Sequence, residues 1–341
     1  MKPRRSDRAF TFAAGVRATD VNIACDGLGL ASDLVFLSHA NALPPRARLA
    51  GLGRRELLAT EQTLRMLGET GSTLRARMLP AAFGRPFNLG PCRIELLPSG
   101  HLPGAAALLC EFETRRTMYL GAFCPEPILD GIEPFLSRRA DALCIDAGLA
   151  APELDVPPRQ QVMREVLAFA ETNLAAHSRV VLLVSAFGIM PMLAAALAKA
   201  GLAMRAHRRL AAVLTRLHLV CEGVPTVSRF SGKLNPGEVL LWPVEARNAA
   251  SLAELGNVAL GLVSGLAADP GTVAATRVTR GFLLSNLPTF SETLAAIETS
   301  RASEVALFHD AAGAVAARLG ALGLDAYAVG PPRQMSLLAA R

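Results

Sequence analysis

Three histidines and one aspartate sit where apolar stretches end, which is where a buried strand hands a polar side chain to a loop. His39 follows Leu34-Val35-Phe36-Leu37, and His101 lies between Gly100 and Gly104. Asp146 closes the run that begins at Asp141, and His309 follows Val305–Phe308. Imidazole and carboxylate are the donors that hold zinc, at about 2.0–2.1 Å for nitrogen. Taken singly, each histidine reads more simply as a hydrogen-bonded core residue. Asp146 alone is as well suited to cap a turn through Gly148. His177, His207 and His218 have no matching partners and read as surface or helix residues.

The elements that must position these groups follow from pattern. Residues 8–40 read as short strands broken by turn residues, and Glu56 to Thr70 as a helix carrying Leu57, Leu58, Leu64 and Leu67. A second strand-rich block covers Cys92–Leu97, Ala105–Phe112, Thr117–Phe123 and Asp141–Asp146. Beyond the prolines of 152–158 the chain alternates: helix 160–176, strand Val180–Val184, helix Met190–Lys199, then strands at Val239–Leu241 and Val258–Val263. It closes with Phe282–Leu284, a helix over Glu292–Thr299, strand Val305–Phe308, helix Ala311–Leu322 and a short strand near Ala326–Val329.

The chain has 341 residues, 51% hydrophobic and 19% charged, enough to bury a large core. Mean hydropathy is +0.34. The longest uncharged stretch, between Arg179 and Lys199, is interrupted by Ser185, Gly188 and Pro191, so it reads as strand, loop and helix rather than a membrane span. The start, MKPRRSDRAFTFAAG, lacks the apolar run of a signal peptide, so the expected location is the cytoplasm. Six cysteines without a C-x-x-C pair read as buried free thiols. The net charge of +6 is carried almost entirely by arginine, and such an excess permits nucleic-acid binding without demanding it.

Six segments stand in fixed order: FLSHANALP (36–44), PSGHLPGAA (98–106), MYLGAFC (118–124), LCIDAG (143–148), and the pair FLLSNLPTF (282–290) and VALFHDAAG (305–313). Together they resemble the metallo-β-lactamase-fold nucleases of the β-CASP family, which include RNA 3′-end processing endonucleases and ligase-associated exonucleases. Those proteins show S-H-A-H-x-D-H, G-H-x-x-G-[SA], G-D-[FY], an acidic residue after a strand, S-D-H-A-D and a final H-G. The resemblance implies an αβ/βα sandwich from residues 1–150 and 285–341, with an inserted α/β β-CASP-like domain of residues 151–284. It also implies two zinc ions bridged by a carboxylate and by a hydroxide that attacks phosphorus.

Carried over residue by residue, the ligand set is incomplete. His39, His101, Asp146 and His309 remain. Asn41, Leu43, Pro44, Ala122 and Leu287 stand where the family has ligands, and Asn286 replaces an aspartate. The resemblance therefore implies no catalytic residues and no cofactor, or at most one zinc or manganese on the remnant ligands. The expected role is a non-catalytic binding or scaffolding subunit in nucleic-acid processing, partnered by another protein such as an active nuclease homologue, or by itself. The alternatives are a single-metal hydrolase of the nuclease class and a stand-alone nucleic-acid-binding protein. For nucleic acid, the candidate is a helix from Met204 to His218. There Arg205, Arg209 and Arg216 fall within about 40° of one another at 100° per residue, and Arg208 widens the basic side. A solvated helix face is the ordinary reading of such a run.

Overall fold

The computed structural model describes residues 8–12, 15–27, 32, 34–42, 54–256 and 258–331. The first sheet is built from β1 (Phe10–Phe12), β2 (Val16–Ala18), β3 (Ile23–Cys25), β4 (Leu34–Phe36), β5 (Glu56–Ala59) and β6 (Met78–Pro80), hydrogen-bonded in that order. It begins as an antiparallel meander and turns parallel from β3 onward. Between β5 and β6 run α1 (Glu61–Leu67) and α2 (Glu69–Leu74).

The helix expected over Glu56–Thr70 is thus a strand followed by a helix. Leu57 and Leu58 are buried on opposite faces of the first sheet, in two different cores. A doubly buried strand has no period-2 alternation to betray it. The helix begins only at Thr60, whose hydroxyl accepts from Thr63 N–H at 3.1 Å as an N-cap.

β7 (Phe87–Leu89), β8 (Cys92–Pro98), β9 (Ala106–Glu111), β10 (Arg116–Gly121) and β11 (Ala142–Asp146) form most of the second sheet. The chain then leaves through α3 (Arg159–Ala175) into a third, six-stranded sheet. This consists of β12 (Arg179–Val184), β13 (Ala203–Ala206), β14 (Ser228–Arg229), β15 (Glu238–Pro243), β16 (Val258–Val263) and β17 (Arg280–Phe282), ordered β14-β13-β15-β12-β16-β17 and parallel throughout. Its crossovers carry α4 (Met190–Lys199), α5 (Arg208–His218), α6 (Ala250–Ala253) and α7 (Pro270–Thr276). After α8 (Phe290–Ser300), β18 (Glu304–Phe308), α9 (Ala312–Ala321) and β19 (Asp325–Ala328) complete the second sheet, in the order β19-β18-β11-β10-β9-β8-β7.

The first two sheets pack face to face. Phe10, Ile23, Phe36 and Leu58 of one meet Ile94, Leu108, Tyr119 and Cys144 of the other in a common core. Helices cover both outer faces: α1 and α2 through Leu64 and Leu74, α8 and α9 through Ile297, Val315 and Leu319. The third sheet is sandwiched the same way. Val180, Leu182 and Val184 face α3, α4 and α5, while Val181 and Leu183 face α6. The fold class is α/β. All six cysteines are free and buried, and among the described residues no helix is long and apolar enough to cross a membrane.

The turn between β8 and β9, which carries His101, is held by close backbone approach. Gly100 has φ +72°, and a Cβ there would stand 2.2 Å from the Cys124 carbonyl oxygen. Gly104 has φ +74°, and a Cβ there would lie 2.6 Å from the Thr63 nitrogen. The Gly104 carbonyl accepts from the hydroxyls of Thr60 and Thr63 at 2.7 and 2.9 Å, so the start of α1 is buttoned onto this turn. Gly104→Ala is expected to cost roughly 2–4 kcal/mol, from left-handed strain plus overpacking. Urea unfolding measures it, with Gly84→Ala as control: Gly84 shares the positive φ, +65°, but has open space around it, so only the strain should remain.

Candidate functional site

The cleft lies where parallel strands end. His39 leaves β4 two residues beyond the adjoining Leu37, and the Ser38 carbonyl accepts from Ala106 N–H at 2.8 Å, which locks it beside the His101 turn. β11 and β18 run parallel with Asp146 opposite Phe308, so Asp146 and His309 are delivered together. The four residues singled out in sequence converge here. The His39 and His101 rings stand edge to face at 4.9 Å, and His309 Nδ1 lies 2.8 Å from Asp146 Oδ1. Asp146 and His309 both act electrostatically on His39, and His39 and Asp146 on His101.

Each imidazole has its Nδ1 committed. A half-buried carboxylate, Asp26, accepts from Ser38 N–H at 2.7 Å, from the Ser38 hydroxyl and, at 2.9 Å, from the Tyr119 hydroxyl. With its only proton spent on Asp26, Ser38 Oγ must accept from His39 Nδ1–H, 2.7 Å away. His101 Nδ1 faces the Asn286 carbonyl across a long 3.4 Å contact, and a carbonyl can only accept. His309 Nδ1 donates to Asp146. The Nε2 atoms of His39 and His101 are therefore left with bare lone pairs. Orientation of this kind, in which the second nitrogen is tied to a carboxylate, carbonyl or hydroxyl, is how metal-binding imidazoles are fixed.

Burial holds His39 down to about 4, with His309 adding to the effect and Asp146 opposing it. Burial, reinforced by His39, holds His101 down to about 3. Both are neutral at physiological pH. His309 is raised by its hydrogen bond to Asp146.

The residues present do not fit a two-metal centre. Ala122, which the resemblance aligns with a bridging carboxylate, is a buried methyl group. Leu287, which the resemblance aligns with an imidazole, has its Cδ1 3.3 Å from where a Cβ on Gly148 would stand. Asn286 turns its amide nitrogen to the His101 carbonyl at 2.8 Å. Asp146 Oδ1 is taken by Gly148 N–H at 2.8 Å as well as by His309, so it caps the turn and meets an imidazole at once. Asn41 is exposed in a 3-10 turn, Ala40–Ala42, while Leu43 and Pro44 lie outside the described residues. Among the described residues no three His, Cys, Asp or Glu side chains are grouped to hold one ion.

Two residues went unread in the sequence. Asp26 ends the apolar run Ile23–Cys25 just as Asp146 ends its own strand, and that parallel was the available signal. Arg159, at the start of α3, donates to the carbonyls of Ser285 and Leu287 and pairs with Glu292 at 3.1 Å, fixing the segment that carries Asn286. No local pattern announces it, because its partners lie more than 120 residues away.

The basic helix expected from Met204 to His218 divides. Ala203–Ala206 is strand β13, His207 is the N-cap of α5, and only Arg208, Arg209 and Arg216 are helical. Arg205 lies in the strand and pairs with Glu238 at 3.0 Å. Arg216 is folded down against Gly68 of the α1–α2 junction. Exposed arginines remain at 208 and 209. The β-period of Ala-Met-Arg-Ala is too short to separate from the helical pattern that follows it.

No protein-family model matches the chain. It is 24% identical over 314 residues, 89% of its length, to a protein of Opitutus terrae named as a probable DNA ligase, of which the match covers 29%. It is 29% identical over 180 residues, 46% of its length, to an uncharacterized protein of Synechocystis, of which the match covers 30%. The chain thus spans about three tenths of the length of the curated relatives it matches.

Burial pushes the Asp26 carboxyl up to about 6 from an ordinary 3.8, even though hydrogen bonds from Ser38 and Tyr119 pull it back. Because the folded value lies above the unfolded one, its stabilising contribution is full below pH 4 and is lost as pH rises through about 6. At about 1.4 kcal/mol per unit, the wild type should lose about 3 kcal/mol relative to Asp26→Asn between pH 3 and pH 8. Urea unfolding of both proteins at the two pH values reads this difference. A gap that stays constant with pH would remove the half-buried carboxylate from the account.

Proposed function

We propose that the chain is a non-catalytic homologue of the metallo-β-lactamase/β-CASP nucleases, serving as a binding or scaffolding subunit in nucleic-acid processing. In this reading the two facing sheets with their outer helices are the metallo-β-lactamase sandwich, and residues 151–284, which hold the third sheet, are the inserted cassette. One observation carries it. His39, His101, Asp146 and His309 come together with their orienting partners in place, while Ala122 and Leu287, which the resemblance aligns with ligands, offer only hydrocarbon. A cleft with its framework kept and its donors removed is suited to shape and contact rather than to activating a hydroxide at phosphorus.

The partner proposed is a protein that carries the chemistry. The Opitutus relative, named as a probable DNA ligase, contains a region like this chain within a polypeptide more than three times the length of the match. A segment joined covalently to such a function in one protein is a natural candidate to work beside that function here. A DNA-joining enzyme therefore stands beside an active nuclease homologue as the expected partner.

The test uses purified full-length protein with labelled single-stranded and duplex oligonucleotides and added zinc or manganese. The expected outcome is no strand cleavage above buffer, together with capture of a ligase or nuclease when the tagged chain is recovered from its host. Cleavage that Asp146→Ala abolishes, with no associated protein, would instead establish a reduced single-metal hydrolase.

A further inference from the structure

At the carboxyl ends of β13 and β14, four residues make a cationic surface. β13 ends at Ala206, and His207 caps α5, whose first two residues are Arg208 and Arg209. The neighbouring strand β14 ends at Arg229, in register with Ala206. The charges that bear on His207 are those of Arg208, Arg209 and Arg229; with burial, they hold its imidazole below its ordinary value. No carboxylate is among them. All three arginines are exposed. None has an ion-pair partner among the described residues, unlike Arg205 two residues earlier, which is bound to Glu238. Glu245, in the turn after β15, is the nearest acidic residue to follow that strand and makes no ion pair among the described residues.

The location has a topological reason. The connection leaving β13 passes through α5 on one face of the sheet, where Leu210, Val213 and Leu214 pack with α3 and α4. The connection leaving β15 passes through α6 on the other face, where Leu252 packs against Leu183 and Leu240. Adjacent parallel strands whose connections part to opposite faces leave a crevice at their carboxyl ends, and open α/β sheets bind ligands there. Its floor is firm: the His207 ring meets Trp242 of β15 edge to face at 4.6 Å, and Phe230 packs on the same indole at 5.8 Å. Trp242 is only 2% exposed, so this floor offers no aromatic face for a base to stack on.

We propose that His207, Arg208, Arg209 and Arg229 form a docking surface for the phosphodiester backbone of nucleic acid, read without regard to base sequence. Three exposed guanidiniums, without ion-pair partners among the described residues, supply the positive charge that a phosphodiester backbone neutralises. Trp242 and Phe230 are buried, so neither ring is presented for stacking a base. The surface differs from the basic face suggested by helical spacing, since Arg205 and Arg216 are excluded and Arg229 enters from a separate strand. The choice of polymer rests on the nucleic-acid reading above; the surface itself is independent of the remnant cleft, which lies on other elements.

The experiment follows anisotropy of a labelled mixed-sequence DNA duplex bound to the full chain, from about 50 to about 250 mM NaCl. Three phosphate contacts predict a slope of log affinity on log salt of about −2.7. Arg208→Gln/Arg209→Gln/Arg229→Gln should weaken binding roughly tenfold or more at the low-salt end and remove most of that slope. The corresponding triple Arg→Lys variant, which keeps the charge, should retain most of both. A duplex of scrambled sequence should bind equally well. Wild-type affinity and slope in the Gln variant would overturn the proposal, as would a Lys variant as weak as the Gln variant, since the loss would then be structural. Displacement of DNA by millimolar ADP at fixed ionic strength would also overturn it, by making the crevice a nucleotide pocket. Metal content and partner capture are read separately, so their failure would be distinguishable from the failure of this surface.

Discussion

The Asp26 carboxylate is the constraint on which the cleft depends. It is half-buried at the junction of the two facing sheets and accepts hydrogen bonds from Ser38 of one and Tyr119 of the other. A carboxylate out of water is costly unless such donors surround it. The same bonds consume the Ser38 proton and so dictate the tautomer of His39. Tyr119 is in turn wedged among Phe10, Phe36 and Phe308, with the Phe308 ring stacked on it at 5.8 Å, immediately before His309 in the chain. One half-buried charge thus couples sheet packing to the orientation of a side chain at the surface of the cleft.

The arrangement separates two things that usually travel together. The orienting shell of hydroxyl, carbonyl and carboxylate is present around the three histidines. In the proposed kinship the coordinating shell is not: Ala122, Leu287 and Asn286 offer methyl, isobutyl and amide groups where it aligns ligands. The orienting shell also serves the fold, because its members are packing and hydrogen-bonding partners in the core. Arg159 shows the same logic, since it fixes the Asn286 segment through backbone carbonyls that are indifferent to the side chains between them.

Much of the layout was legible in sequence because hydrophobic runs and turn residues carry it. The strands leading to His39, His101, Asp146 and His309 were placed from their apolar content, and the capping box Thr289–Glu292 marks the start of α8 just where a helix was expected. Two elements were misread for one physical reason, that strands of four residues hold too few positions to declare a period. Glu56–Ala59 was absorbed into the helix after it, and Ala203–Ala206 into α5, which put Arg205 on the wrong element. Asp26, Arg159 and the Arg229 contribution to the crevice depend on long-range pairing between strands or segments, which no local window contains.

The central proposal is that these residues keep the framework of a metal site without the capacity for a binuclear centre. Native mass spectrometry and elemental analysis of the full chain, purified without chelator and then saturated with zinc or manganese, test it most directly. The account predicts no more than one ion per chain, released readily by a weak chelator. Two tightly held ions per chain would contradict it, because they would require donors that Ala122, Asn286 and Leu287 do not supply.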